Sequence, residues 1–95
     1  MIELFYSPAC PHCPKAKEIL LEVLEKIDQK IHLDEVNILS PEGLKRAEKY
    51  GVMAVPTTII NMRHKIVGIP AKDRLLKLIN HEVMKPTEGG GKNGA

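Results

Sequence analysis

Residues 2–27 read IELFYSPACPHCPKAKEILLEVLEKI, and the two ends of that stretch obey different periods. Ile2-Glu3-Leu4-Phe5-Tyr6 is apolar at nearly every position and is closed by Ser7-Pro8. Such a run suits a central strand covered on both faces. Farther on, Ala16, Ile19, Leu20, Val23, Leu24 and Ile27 recur at spacings of three and four, with Glu18, Glu22, Glu25, Lys26 and Asp28 between them. That periodicity predicts an amphipathic helix from about Cys10 to Gln29. Both cysteines of the chain, Cys10 and Cys13, lie where strand gives way to helix. Two thiols separated by two residues at a helix start can close into a small, easily exchanged disulfide. There the first sulfur faces solvent and the positive end of the helix, which favours thiolate.

The rest of the chain alternates in the same way. Residues 31–38 place Ile31 and Leu33, then after a shift Val36 and Ile38, among polar neighbours and read as a strand. Ser40-Pro41-Glu42 opens a helix with a hydroxyl N-cap, a proline at the first helical position and an acid in the first turn. That helix runs to about Tyr50 and stops at Gly51. Thr57-Thr58-Ile59-Ile60 is β-branched throughout, residues 61–64 turn, and Lys65-Ile66-Val67 returns as the second arm of a hairpin. After Gly68-Ile69-Pro70, a last helix starts at Ala71 and carries Leu75, Leu76, Leu78, Ile79 and Val83. Residues 85–95 (KPTEGGGKNGA) offer only Ala95 for burial and are expected to form a flexible tail on a domain spanning residues 1–84. The order is β-α-β-α-β-β-α, with a parallel, right-handed first βαβ unit and helices on both faces of one sheet.

Ninety-five residues make one small domain. With Phe5, Tyr6 and Tyr50 its only aromatics, the core must be aliphatic. A net charge of +2 with dispersed basic residues argues against nucleic acid or a membrane surface as partner, and no apolar run is long enough to span a bilayer. The chain opens on a strand-like segment rather than a basic flank and apolar stretch, which sets the expectation of a cytoplasmic protein. In a reducing compartment a lone cysteine pair is catalytic or metal-binding rather than a structural staple. Cys10, His12 and Cys13 are all metal-ligand types, but a structural zinc site wants four ligands, and His32, His64 and His81 stand alone.

Ser7-Pro8-Ala9-Cys10-Pro11-His12-Cys13-Pro14 after the first strand, Val55-Pro56-Thr57 before the third and Val67-Gly68 ending the fourth together resemble the thioredoxin-fold oxidoreductases. The chain looks most like the small archaeal thioredoxin/glutaredoxin-like proteins, over residues 2 to 83. The resemblance implies a minimal thioredoxin fold of class α/β, with a four-stranded mixed sheet ordered 2-1-3-4 and three flanking helices. It implies Cys10 as nucleophile and Cys13 as resolving thiol. Pro56 would be a cis-proline that, with Val55, Thr57 and Gly68, receives an extended substrate. Leu4 stands where longer thioredoxins carry an acid, and Ala9 where they carry tryptophan. His12 and Gly68-Ile69-Pro70 depart from the glutaredoxin pattern.

Thiol-disulfide exchange needs a thiolate, an accessible sulfur and a second thiol within reach. Pro11 and His12 are candidates for tuning the pair: a protonated His12 would stabilise the Cys10 thiolate and make the couple less reducing, while as a bland alternative His12 is an exposed side chain and Pro11 stiffens the first turn. The expected function is reduction of protein disulfides, with a redox-active Cys10–Cys13 disulfide and no bound cofactor or metal. Partners would be disulfide-containing proteins and, for recycling, a thioredoxin-reductase-type enzyme or a low-molecular-weight thiol, with the chain a monomer. An oxidase or isomerase, and a non-enzymatic metal-binding or interaction module of the same fold, are the alternatives.

Overall fold

The computed structural model describes residues 1–27 and 30–84. Its elements are β1 (Ile2–Tyr6), α1 (Cys13–Glu25), β2 (Leu33–Asn37), α2 (Pro41–Lys49), β3 (Thr57–Ile60), β4 (His64–Val67) and α3 (Lys72–Met84). The four strands form one sheet in the order β2-β1-β3-β4. β1 runs parallel to β2 with Leu4 opposite Glu35, and antiparallel to β3 with Phe5 opposite Thr57. β3 and β4 form the antiparallel hairpin. This is the expected mixed sheet with three helices, a thioredoxin fold. The residues expected to form a tail, 85–95, and the expected end of the first helix at Asp28-Gln29 lie outside the described residues.

Because alternate residues of a strand point to opposite faces, β1 feeds two separate cores. Ile2 and Leu4 pack with Ala16, Ile19, Leu20, Val23 and Ile27 of the α1 segment, Ile60 of β3, and Leu75 and Ile79 of α3. Phe5 packs on the other face with Val36, Ile59 and Ala47 of α2. Each fully buried aliphatic or aromatic side chain contributes about 1.5–3 kcal/mol of transfer free energy. No described helix is long and apolar enough to cross a membrane.

Glu3 is the exception in this strand. Its side chain is 2% exposed, on the α2 face, where the Arg46 guanidinium donates to Oε2 while its other nitrogen reaches Asp34 Oδ2 at 3.0 Å. Glu3 Oε1 has no protein partner among the described residues. An apolar-looking strand therefore carries a buried ion pair that the periodicity of residues 2–6 does not announce.

Two expected boundaries move. α1 begins at Cys13, not Cys10, with His12 as N-cap and Pro14 in the first turn. Cys10 precedes Pro11, whose ring disfavours helical backbone at the residue before it. Its N–H instead closes a turn onto the Ser7 carbonyl at 3.1 Å, so Pro11 lies ahead of the helix rather than at its first position. β2 is shorter than residues 31–38, and its pattern shift needs no bulge. Leu33 leans on the α1-side core while Val36 belongs to the α2-side core, as plain alternation requires. The α2 start is as expected: Ser40 Oγ accepts from the Gly43 N–H at 3.0 Å.

The β3–β4 turn puts both Asn61 (φ 51°) and Met62 (φ 57°) in the left-handed region, with the Arg63 N–H returning to the Ile60 carbonyl. Glu82 of α3 holds this turn from below: Asn61 Nδ2 donates to Oε1 at 3.1 Å, and His64 Nε2 lies 2.9 Å from Oε2. The Asn61 bond, opposed by burial and reinforced by His64, depresses the Glu82 carboxyl to about 2.

Both buried carboxylates can be probed through stability. Arg46→Leu strands Glu3 as an unpaired buried charge and is expected to cost about 2–3 kcal/mol, below the usual range for a fully buried pair because Arg46 is a third exposed. The double variant Glu3→Met/Arg46→Leu should recover most of that loss in urea midpoints; a double variant as weak as the single would refute the assignment. The Glu82 pKa lies below its ordinary 4.5, so its stabilisation is full above about pH 4.5 and is lost as pH falls through about 2. Glu82→Gln should remove about 1–3 kcal/mol at neutral pH and flatten the stability slope below pH 4.5. An unchanged slope would count against the network.

Candidate active site

The segment 7–13 has little freedom. Pro8 and Pro11 lack N–H groups, the Ala9 N–H bonds Ser7 Oγ at 3.2 Å, and the first helical bond runs from the Ala16 N–H to the His12 carbonyl. The main-chain N–H groups of His12 and Cys13 are thus left without helical partners, and they turn toward Cys10. Cys10 is half-buried; Cys13, at the first helical position, is 6% exposed. Both are free thiols.

Their titrations diverge. For Cys10, desolvation acts to raise the pKa, but hydrogen bonds from the Cys13 side chain and from the His12 and Cys13 N–H groups outweigh it, and the thiol titrates below its ordinary 9.0. Cys13 moves the opposite way, to about 11. Its burial comes first and the bond it donates to Cys10 second, with the Ser7 N–H opposing. One proton is thereby shared unequally: Cys13 keeps it and lends it to Cys10 as a hydrogen bond. Chemically, such a pair presents one nucleophile and holds a second thiol in reserve. His12 reaches Cys10 through its main-chain N–H.

A cavity of about 310 Å³ opens beside the two sulfurs, lined by Leu4, Tyr6, Pro14, Lys17 and Glu35 together with the 7–13 turn. Leu4 contributes an apolar side chain to this lining. Lys17 Nζ and Glu35 Oε2 pair at 3.1 Å along its wall. The sequence pattern gives neither Lys17 nor Glu35 a role at the site. The legible signal for Glu35 is its parity with Leu33 on an edge strand, which directs it to the α1 face.

Val55, Pro56, Thr57 and Gly68 form a second group. The Val55–Pro56 bond is cis. The Gly68 N–H donates to the Pro56 carbonyl at 2.8 Å, and Thr57 Oγ1 donates to the Ala54 carbonyl at 2.6 Å. Gly68 has φ 85°, with open space where a Cβ would stand, so backbone conformation rather than crowding demands glycine there. Since Phe5 faces Thr57, residues 55 and 56 lie at the same end of the sheet as the Ser7–Cys13 turn, although they do not line the thiol cavity. Met53, 96% exposed, precedes them. A larger groove of about 610 Å³ between β4 and α3 contains neither cysteine. Among the described residues no three His, Cys, Asp or Glu side chains are grouped as a metal-ligand set.

The chain is similar to known proteins. A family model described as thioredoxin domain matches residues 1–80. A thioredoxin of Methanocaldococcus jannaschii is 41% identical over 78 residues, covering 82% of this chain and 89% of that protein. A probable thioredoxin of Archaeoglobus fulgidus is 35% identical over 95 residues, covering 100% of this chain and 97% of that one. Among solved structures, a mutant thioredoxin from Halobacterium salinarum superposes with a TM-score of 0.68 at 22% identity, over 92% of this chain and 76% of that chain. A thioredoxin-like protein from Clostridium perfringens gives 0.73 at 23% identity, over 83% of this chain and 67% of that chain. Both share the fold of this chain.

The divergent titrations are checked by alkylation of the reduced protein with iodoacetamide across pH, followed by peptide mapping. Cys10 should react first, with a midpoint below 9.0, and Cys13 only as pH approaches about 11. Equal rates at the two sulfurs would contradict the geometry.

Proposed function

The chain belongs to the thioredoxin family and is a thiol-disulfide oxidoreductase, and from that premise we propose that it reduces protein disulfides through Cys10 and Cys13. The observation that carries the reading is the opposed pair of thiols: a half-exposed Cys10 held toward thiolate, and a buried Cys13 one turn away that keeps its proton. The Cys10 thiolate attacks one sulfur of a substrate disulfide. A Cys10–substrate disulfide forms and the other substrate sulfur leaves as thiolate. Cys13, once deprotonated, attacks Cys10 Sγ, closes the Cys10–Cys13 disulfide and expels the second substrate sulfur, so the substrate gains two electrons and the dithiol loses two.

Substrate recognition falls to Val55, Pro56, Thr57 and Gly68, where the main chain of Val55, which makes no hydrogen bond among the described residues, can accept an extended segment. Pro11 and His12 tune the pair by fixing the turn and by the N–H that His12 aims at Cys10. In this reading residues 1–84 are the working domain, the chain acts as a monomer in the cytoplasm without a bound cofactor, and a thioredoxin-reductase-type enzyme or a low-molecular-weight thiol restores the dithiol. A second reading, net oxidation of substrates, draws on one fact: stabilising the Cys10 thiolate stabilises the reduced form and makes the couple more oxidising.

Steady-state reduction of insulin disulfides by dithiothreitol tests the proposal. The wild-type chain should accelerate it, Cys10→Ser should lose all acceleration, and Cys13→Ser should accumulate a mixed disulfide visible by mass spectrometry. Full activity in Cys10→Ser would end the reading.

A further inference from the structure

Cys13 presents a proton problem. Its thiol is buried, which disfavours ionisation, so at neutral pH it is protonated, yet it must attack as thiolate to release a substrate. Leu4, beside it on β1, offers no acceptor. The neighbouring strand does. In the parallel register Glu35 lies opposite Leu4, so both side chains leave the same face of the sheet. That face is the α1 face, because Asp34 and Val36 on either side of Glu35 engage Arg46 and the α2-side core. Glu35 lines the same cavity as Cys10 and Cys13, and Lys17 of α1 grips its carboxylate at 3.1 Å.

We propose that Glu35 is the proton acceptor for Cys13 in the release step, with Lys17 as the positioning residue that keeps the carboxylate at the cavity wall. This rests on the reading of Cys13 as the resolving thiol. The proton passes from Cys13 Sγ to a Glu35 carboxylate oxygen, directly or through one water, for which the cavity has room. The Cys13 thiolate then forms the bond to Cys10 Sγ as the Cys10–substrate bond breaks. The leaving electron pair stays on the substrate sulfur, which takes up a proton from Glu35 or solvent. No further oxidant or reductant is needed. The titratable groups facing Glu35 across the cavity are Lys17, Tyr6 and the two cysteines; Lys17 alone is cationic. A half-exposed carboxylate competes with water, so its contribution is about tenfold to a hundredfold, at and below the low end for positioned acid–base groups.

An aromatic disulfide with a coloured leaving thiolate separates the steps. The reduced full-length chain releases one equivalent when Cys10 attacks and a second when Cys13 resolves the mixed disulfide. Glu35→Gln should leave the first phase unchanged and slow the second by about tenfold or more at neutral pH. The wild-type second phase should be nearly flat around neutrality, whereas in Glu35→Gln it should rise about tenfold per pH unit as more of Cys13 becomes thiolate. Lys17→Met breaks the ion pair but keeps the carboxylate, and should slow the second phase much less. An unchanged second phase in Glu35→Gln, or a second phase in Lys17→Met that rises with pH as steeply as in Glu35→Gln, overturns the assignment of Glu35. Failure of the underlying reading looks different: Cys13→Ser would still release both equivalents.

Discussion

The burial of β1 on both faces and both edges governs this molecule. A strand in that position must pair its backbone polar groups within the protein, because water reaches neither side. Its backbone does so through β2 and β3. Its side chains split between two cores, and the one charge among them, Glu3, is matched by Arg46 from α2. The fixed strand in turn fixes where the chain leaves the sheet. The Ser7–Cys13 turn begins one residue beyond it, so the two sulfurs are positioned by the buried central strand.

From that anchorage the thiol asymmetry follows from where the donors lie. Cys13 enters the helix, loses water and keeps its proton. Cys10 stays in the turn and collects that proton's hydrogen bond along with two main-chain N–H groups. The two shifts have one origin, which is why they are opposite in sign. The helix contributes chiefly through its first free N–H groups, which lie within reach of Cys10 because the helix starts three residues later than periodicity alone suggests.

Much of this was legible beforehand because it depends on local chemistry. Aliphatic residues at spacings of three and four gave α1 its buried face, and Ser40-Pro41 set the start of α2. The misplaced start of α1 has a local cause too: Pro11 restricts Cys10, but the apolar period reads through a proline without noticing it. Glu3 and Glu35 escaped for another reason. Whether an acid in a strand is buried, and against what, depends on Arg46 and Lys17, which lie 43 and 18 residues away in sequence.

Element order, the two-faced central strand, the closeness of the two thiols along the chain and the resemblance to a redox family were all written in residue type and short spacing. Folding settled the rest: which sulfur is buried, which main-chain donors reach Cys10, and which distant carboxylate shares the cavity with Cys13. Burial, hydrogen-bond direction and charge proximity are properties of the packed chain, created when α1 closes over β1 and β2. No spacing along the sequence encodes them.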